Sequence, residues 1–335
     1  MKKTLSELSQ KTGYSIATIS RVLSGKATES RIPAETANAI LKAAQDNGFF
    51  PNIVAQNLRS HKVESIGLLL PSISNPFFAD IANAVIASAR KNHYTTIVVD
   101  SNENEDEEKH ALSSLLSQKV KGIIAIPTGK DSALYEEIAR KYMPVVLVDR
   151  YFMDSFLPYV TTNNYTGAFN VTTHLIQNGH RRIACIQGAQ SSVPNARRVK
   201  GYMDALQKAG IQDNAIVMGD AFSVQNGFVE TQMLLSMKNR PTAIFALSNT
   251  IMLGAIKTLR ESGVRIPDDI SIVCFDDNTY MDYLTPPITR VGQKTEEMGK
   301  LAVKILMESM STGVCSRTQI ELESSLINGK SVGII

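Results

Sequence analysis

Tryptophan is absent from the 335 residues, and cysteine occurs three times, at Cys185, Cys274 and Cys315, an odd count with no CxxC pair. That pattern argues against a disulfide framework or a thiolate metal site and fits free thiols in a reducing compartment. No apolar run reaches the ~18 residues that a membrane-spanning helix needs. The two lysines near the start lead into no apolar segment, so a secretory leader is not expected and a cytoplasmic location is. The five histidines (His61, His93, His110, His174, His180) lie in separate segments, without HExxH or paired ligand spacing. There is no GxSxG elbow, no GxxxxGKS/T phosphate loop and no GxGxxG. No enzyme, no metal and no cofactor is therefore expected.

What is present is an ordinary globular composition, 43% apolar and 20% charged, in a chain long enough for two or three units. The net charge of +3 is unevenly spread. Residues 1–62 hold nine Lys/Arg against four acids, +5, while the remainder holds 26 against 28, or −2. A basic head on a near-neutral body points the head at a polyanion.

That head reads as three short helices. In "TLSELSQKTG", Leu5 and Leu8 share a face, with Thr4 placed as an N-cap and Gly13 at the end. "SIATISRVLSG" restarts a helix with Ser15 as cap and Ile19, Val22 and Leu23 as its apolar stripe. "IPAETANAILKAAQDNG" adds a third, with Ala37, Ile40, Leu41 and Ala44 at core spacing. Two helices meeting at a glycine turn form a helix-turn-helix pattern, whose second helix enters the major groove of DNA. Ser15, Ile16, Ala17 and Thr18 are left facing outward. Ile16 and Ala17 suit a thymine methyl and Arg21 suits guanine, whereas Ser15, Thr18 and Ser20 suit phosphate.

"FFPNIVAQNLRSHK" then breaks the third helix at Pro51, caps again at Asn52 and continues at helical spacing, in a piece too short to be stable alone. "TxSRVLxG", followed some 25 residues later by "PNxxAxxL", resembles the head and hinge of the LacI/GalR family of bacterial transcription regulators. The resemblance implies a homodimer on a near-palindromic double-stranded DNA operator. Paired hinge helices (Asn52, Ala55, Leu58, Arg59) would lie in the minor groove, with Leu58 as the wedge at a central step.

From Val63 onward, short apolar runs alternate with amphipathic stretches. "SIGLLLP", "TTIVVD", "KGIIAIPT" and "PVVLVDR" read as buried parallel strands, as do "RRIACIQG", "TAIFALS" and "ISIVCFDD". Helices are expected between them, including 165–178, 197–209, 223–238 and 250–262. Two such series in tandem predict an α/β protein of two doubly wound lobes with a cleft between. "YVTTNN" and "PPITRVGQ" read as crossings between the lobes. The body resembles the same family's effector-binding core, similar to periplasmic sugar-binding proteins, and that likeness puts a third crossing near residues 321–325. The expected domains are a head at 1–48, a hinge at 49–61, a first lobe at 62–161 plus 292–321, and a second lobe at 162–291 plus 322–335.

Ligands of such sheets sit beyond the carboxyl ends of strands. That rule nominates Asn75, Phe77 and Phe78 after the first strand, Asp149 and Arg150 after the fourth, the arginine of "RVKGY", Asn249 and Asp276. The resemblance supports Asp149, Arg198, Asn249 and Asp276 as effector contacts, with Arg197 as the alternative arginine, and adds Thr162 and Phe222. Thr250 departs from the aspartate that the family has there. These residues suit the hydroxyls of a carbohydrate, although a purine or a sugar phosphate stays open, and without tryptophan any stacking falls to phenylalanine. The acidic run "NENEDEEKH" reads as a solvated helix start. The implied function is that of a ligand-responsive repressor, the alternative being a sugar-binding receptor without a transcriptional role.

Overall fold

The computed structural model describes residues 4–24, 26–47, 49 and 65–335. Two compact units divide at residues 63 and 64. The first holds helices α1 (Leu5–Thr12), α2 (Ile16–Leu23) and α3 (Ala34–Asp46). Thr4 and Glu7 close a capping box on α1, and Gly13 ends it at φ 74°, a conformation in which glycine carries no Cβ penalty. Leu8, Ile19, Val22, Ile40 and Ala44 form the small core. Leu41, expected in that core, stays 48% exposed because the stripe runs through Ile40 and Ala44 instead.

The second unit contains two six-stranded sheets. The first lobe's sheet uses β1 (Ser65–Leu70), β2 (Thr95–Asp100), β3 (Ile123–Ala125), β4 (Val145–Val148) and β5 (Tyr159–Thr162). Helices α4 (Pro76–Lys91), α5 (Glu105–Ser117) and α6 (Ala133–Lys141) connect them. The second lobe has β6 (Ile183–Ile186), β7 (Ile216–Met218), β8 (Ala243–Ala246), β9 (Ser271–Phe275) and β10 (Thr289–Gly292). Its helices are α7 (Asn164–Gln177), α8 (Val193–Lys208), α9 (Val224–Ser236) and α10 (Asn249–Glu261). Helix α11 (Thr295–Thr312) then packs on α4, and β11 (Gln319–Leu322) and β12 (Ser325–Ile327) close the two sheets. The strand orders are β2-β1-β3-β4-β5-β11 and β7-β6-β8-β9-β10-β12. The chain thus passes between lobes after β5, after β10 and after β11.

Most central strands are uniformly apolar because helices cover both sheet faces. Each lobe accordingly has two clusters, one per face. Close helix packing is set by small residues: a Cβ on Gly227 or Gly254 would run into the facing backbone of α10 or α9. Two boundaries differ from expectation. Helix α8 begins at Val193, four residues early, because Pro194 starts its first turn. The 18-residue α11 was not anticipated, though Met298, Ala302 and Leu306 recur at helical spacing.

Candidate functional site

The sheets direct the carboxyl ends of β1, β4, β6, β8 and β9 into the space between the lobes. After β1, Asn75 caps α4 by accepting the Phe77 N–H at 3.1 Å, which fixes Phe77 and Phe78 in its first turn. Both rings are buried, 5.3 Å apart and edge to face. After β4 and β9 the chain turns sharply, and Asp149 (φ 59°) and Asp276 (φ 104°) both hold positive φ. Such backbone costs on the order of 1–3 kcal/mol where no glycine stands, and it persists only where the surroundings enforce it. Here the Asp149 N–H donates to Val160 O at 2.9 Å, and the Asp276 N–H to Val291 O at 3.1 Å.

One cavity is lined by Asn75, Phe77, Phe78, Asp149, Arg198, Phe222 and Asp276, together with Arg150, Ser192, Pro194 and Ser248. Of the ten residues nominated for the effector, eight are therefore brought together, Arg150 among them. Asn249 lies just behind the wall: its side-chain Nδ2 donates to Asn75 Oδ1 at 2.9 Å and to Asn278 Oδ1 at 2.8 Å, and its backbone N–H donates to Asp276 Oδ2 at 2.9 Å. Thr162 does not reach the cavity; it is buried on β5 with its hydroxyl 3.8 Å from Met298 Sδ. Phe222 lies over Gly188, whose missing Cβ leaves room for the ring. Thr250 Oγ1 shares a 2.9 Å hydrogen bond with Ser248 Oγ, so a hydroxyl pair occupies this rim.

Arg198, on α8, is buried, and it donates from Nε to Asn164 Oδ1 and from Nη1 to Leu247 O, both at 2.7 Å. Its guanidinium lies 3.8 Å from the Phe275 ring centre. Arg197 is half-buried, outside the cavity, 3.8 Å from Met153 Sδ. Burial pushes the Asp276 carboxyl up to about 6, with Arg198 and the Asn249 N–H pulling it back. Burial likewise raises Asp149, against Arg198 and Arg150. Acceptor atoms Asp149 Oδ1, Asn249 Oδ1 and Gln293 Oε1 are buried without a donor. Buried acceptors of this kind call for O–H or N–H donors.

Gln293, Glu103 and Glu108 were not singled out individually from the sequence, whereas Arg150 was. Gln293 donates to Asp276 Oδ1 at 2.6 Å. Arg150 is gripped by Glu103 through two bonds of 2.7 and 2.8 Å, and its guanidinium stands 5.5 Å from the ring centres of Phe78 and Phe222. Glu108 is buried and accepts the N–H groups of Thr128 and Gly129 and the Tyr135 hydroxyl. The acidic run is thus only partly a solvated helix start: Glu108 is buried beneath Thr128 and Gly129, and the partly exposed Glu103 pairs with Arg150. Among the described residues no group of three or more His, Cys, Asp or Glu could hold a metal ion.

In the head, Ser15, Ile16, Ala17 and Arg21 are exposed at one end and side of α2, with Thr18 and Ser20 half-buried beside them. Ser15 Oγ caps α2 by accepting the Thr18 N–H at 3.1 Å, and Thr4 Oγ1 is likewise engaged with Glu7 N–H. Asn52, Ala55, Leu58 and Arg59 lie outside the described residues.

The model of periplasmic binding proteins and the sugar-binding domain of the LacI family matches residues 63–324. The chain belongs to the LacI family. A transcriptional repressor PurR of Photobacterium profundum is 31% identical over 98% of both chains, and the catabolite control protein A of Priestia megaterium is 30% identical over 96% of this chain and 97% of its own. A lac repressor dimer, solved bound to operator and the anti-inducer ONPF, superposes with a TM-score of 0.85 at 27% identity, covering 99% of this chain and 100% of that one. This LacI-family chain is accordingly a transcription regulator, a helix-turn-helix head joined to a two-lobed ligand-responsive body. No helix among its described residues is long and apolar enough to cross a membrane.

Proposed function

We propose that the protein works in the cytoplasm as a homodimeric, non-enzymatic repressor whose affinity for a pseudo-palindromic operator is set by a carbohydrate in the cleft. The head (1–48) reads bases through Ile16, Ala17 and Arg21 and meets phosphates through Thr4, Ser15, Thr18 and Ser20. The hinge (49–61) contributes Asn52, Ala55, Arg59 and the wedge Leu58. The lobes, 62–161 with 292–321 and 162–291 with 322–335, hold the ligand between them. The observation that carries this reading is the convergence of residues from both lobes on one cavity, in whose wall the buried Asp149 Oδ1 lacks a donor.

In this scheme Arg198, Asp149, Asn249 and Asp276 hold hydroxyls, with Asn75, Phe77, Phe78 and Phe222 as walls and Thr162 at the crossing. A ligand acts only through its different affinity for the two lobe arrangements, and linkage obliges operator binding to change ligand affinity by the same factor, typically ~5–150-fold. The rival, a sugar receptor without a transcriptional role, has no use for an exposed helix-turn-helix face. Gel shifts on pseudo-palindromes from the protein's own promoter region, with and without a sugar panel, separate the two. Retardation that falls steeply with salt and responds to one sugar is expected; absence of any specific shift overturns the reading.

A further inference from the structure

We propose that the effector is an uncharged glycoside longer than one sugar ring, with its second unit in an outer chamber beyond the cleft cavity. This rests on the cleft reading above and names its ligand more narrowly. The inner cavity offers only about 20 Å³, little more than a single water requires. Next to it lies a cavity of about 570 Å³, within the range of small-molecule sites. The two share Arg150 and Ser192 as walls, so a molecule reaching inward passes between them. Ser192 Oγ is buried there without a hydrogen-bond partner, at the junction where a linking or ring oxygen would arrive.

The outer chamber is built rather than loose. Its floor, Thr128 and Gly129, hangs on the buried Glu108 through N–H bonds of 2.6 and 2.8 Å. Loop 189–193 of the second lobe forms the facing side, so a ligand filling both chambers would tie the lobes together. Charge decides the ligand class. Glu103, Glu105, Asp131 and Asp154 line the chamber against Lys130 and Arg150, and Arg150 is already neutralised by Glu103. An anion would enter a net negative field, whereas hydroxyl groups find carboxylate acceptors.

Calorimetry on the full-length protein tests this with cellobiose, maltose, trehalose and sucrose beside glucose, fructose, glucose 6-phosphate and adenosine. One disaccharide is expected to bind at least about tenfold tighter than its component monosaccharides, a difference of about 1.4 kcal/mol. Ser191→Trp, at an exposed position that lines only the outer chamber, should erase that advantage while leaving monosaccharide binding within about twofold. Monosaccharides binding as tightly as disaccharides, or a Ser191→Trp variant that keeps the advantage, overturns the outer subsite and leaves the cleft reading intact. Preference for glucose 6-phosphate or adenosine overturns the ligand class. If Ser191→Trp fails to fold, the wild-type comparison decides alone. A panel in which nothing binds overturns both readings.

Discussion

The two lobes repeat one strand order, yet the buried arginine that each brings to the cleft is held in a different way. Arg150, from the first lobe, is locked to a carboxylate by two bonds, and its partner Glu103 is partly open to solvent, with 39% of its side chain exposed. Arg198, from the second lobe, donates to an amide and a backbone carbonyl, both neutral, while Asp149 and Asp276 sit near enough to perturb it. One arginine is spent on its own lobe; the other keeps its charge for the cleft. The sheet edges differ as well. β11 runs parallel to β5, but β12 runs antiparallel to β10, because only two residues separate β11 from β12 and the chain cannot turn back to a parallel start.

The largest expected effect breaks this contrast directly. Arg198→Ala leaves the buried Asp149 and Asp276 without the positive charge that most offsets their burial, and loss of one member of a buried charge cluster costs roughly 3–5 kcal/mol. Arg150→Ala should cost less, roughly 1–2 kcal/mol, since Glu103 can take water in place of its partner. Thermal unfolding of both variants checks the order. Arg198→Ala should also abolish the effector response while operator binding in ligand-free protein persists at a temperature where the fold holds. Equal destabilisation of the two variants would show that the arginines are equivalent after all.

How much of this was legible beforehand follows from what each signal depends on. The long apolar strands and helix caps are local, so Ser65–Leu70 and the Asn75–Pro76 helix start could be read from a few residues. The three-residue edge strand β7 could not: Ile216, Val217 and Met218 are all partly exposed and too few to show a period. Asp149 and Asp276 were reachable because strand ends are predictable positions, and Arg198, inside α8, through the family resemblance of its motif. Glu103 was not, because its role depends on a partner 47 residues away, and an acid among acids carries no mark of which one turns inward. Thr162 illustrates the opposite limit: a family position was matched, but the local chain aims that hydroxyl at Met298.

A second asymmetry concerns protons. Asp276 titrates near pH 6 in the folded chain because burial disfavours its charge. Below about pH 4 it is neutral whether the chain is folded or not, so its favourable contribution is complete there and is lost as pH rises through about 6. Ligand binding runs the other way. Hydroxyl donors favour the carboxylate, so affinity should weaken about tenfold between pH 7.5 and pH 5, where roughly one Asp276 in ten is ionised. Calorimetry across that range checks it. Asp276→Asn should flatten the profile; a profile unchanged by Asp276→Asn moves the titration to Asp149 in the first lobe.

The smallest expected effect tests the seam between the lobes. Asn249 Nδ2 to Asn75 Oδ1 spans it at 2.9 Å, and Asn278 Nδ2 to Asp80 Oδ2 spans it at 3.4 Å. The second bond is long and ends on an exposed carboxylate, so removing it should cost about 0.5 kcal/mol, roughly a twofold change in the ratio of closed to open lobes. Because the inner cavity as it stands admits little more than a water, a sugar ring must first part these contacts. Asp80→Ala should therefore raise ligand affinity by about twofold, against the weakening expected of nearly every other cleft substitution. Fluorescence transfer between dyes on α5 and α9 should report the matching shift toward wider separation. A fall in affinity would mean that the ligand needs the seam as it is, with Asp80 helping to hold it closed around the bound molecule.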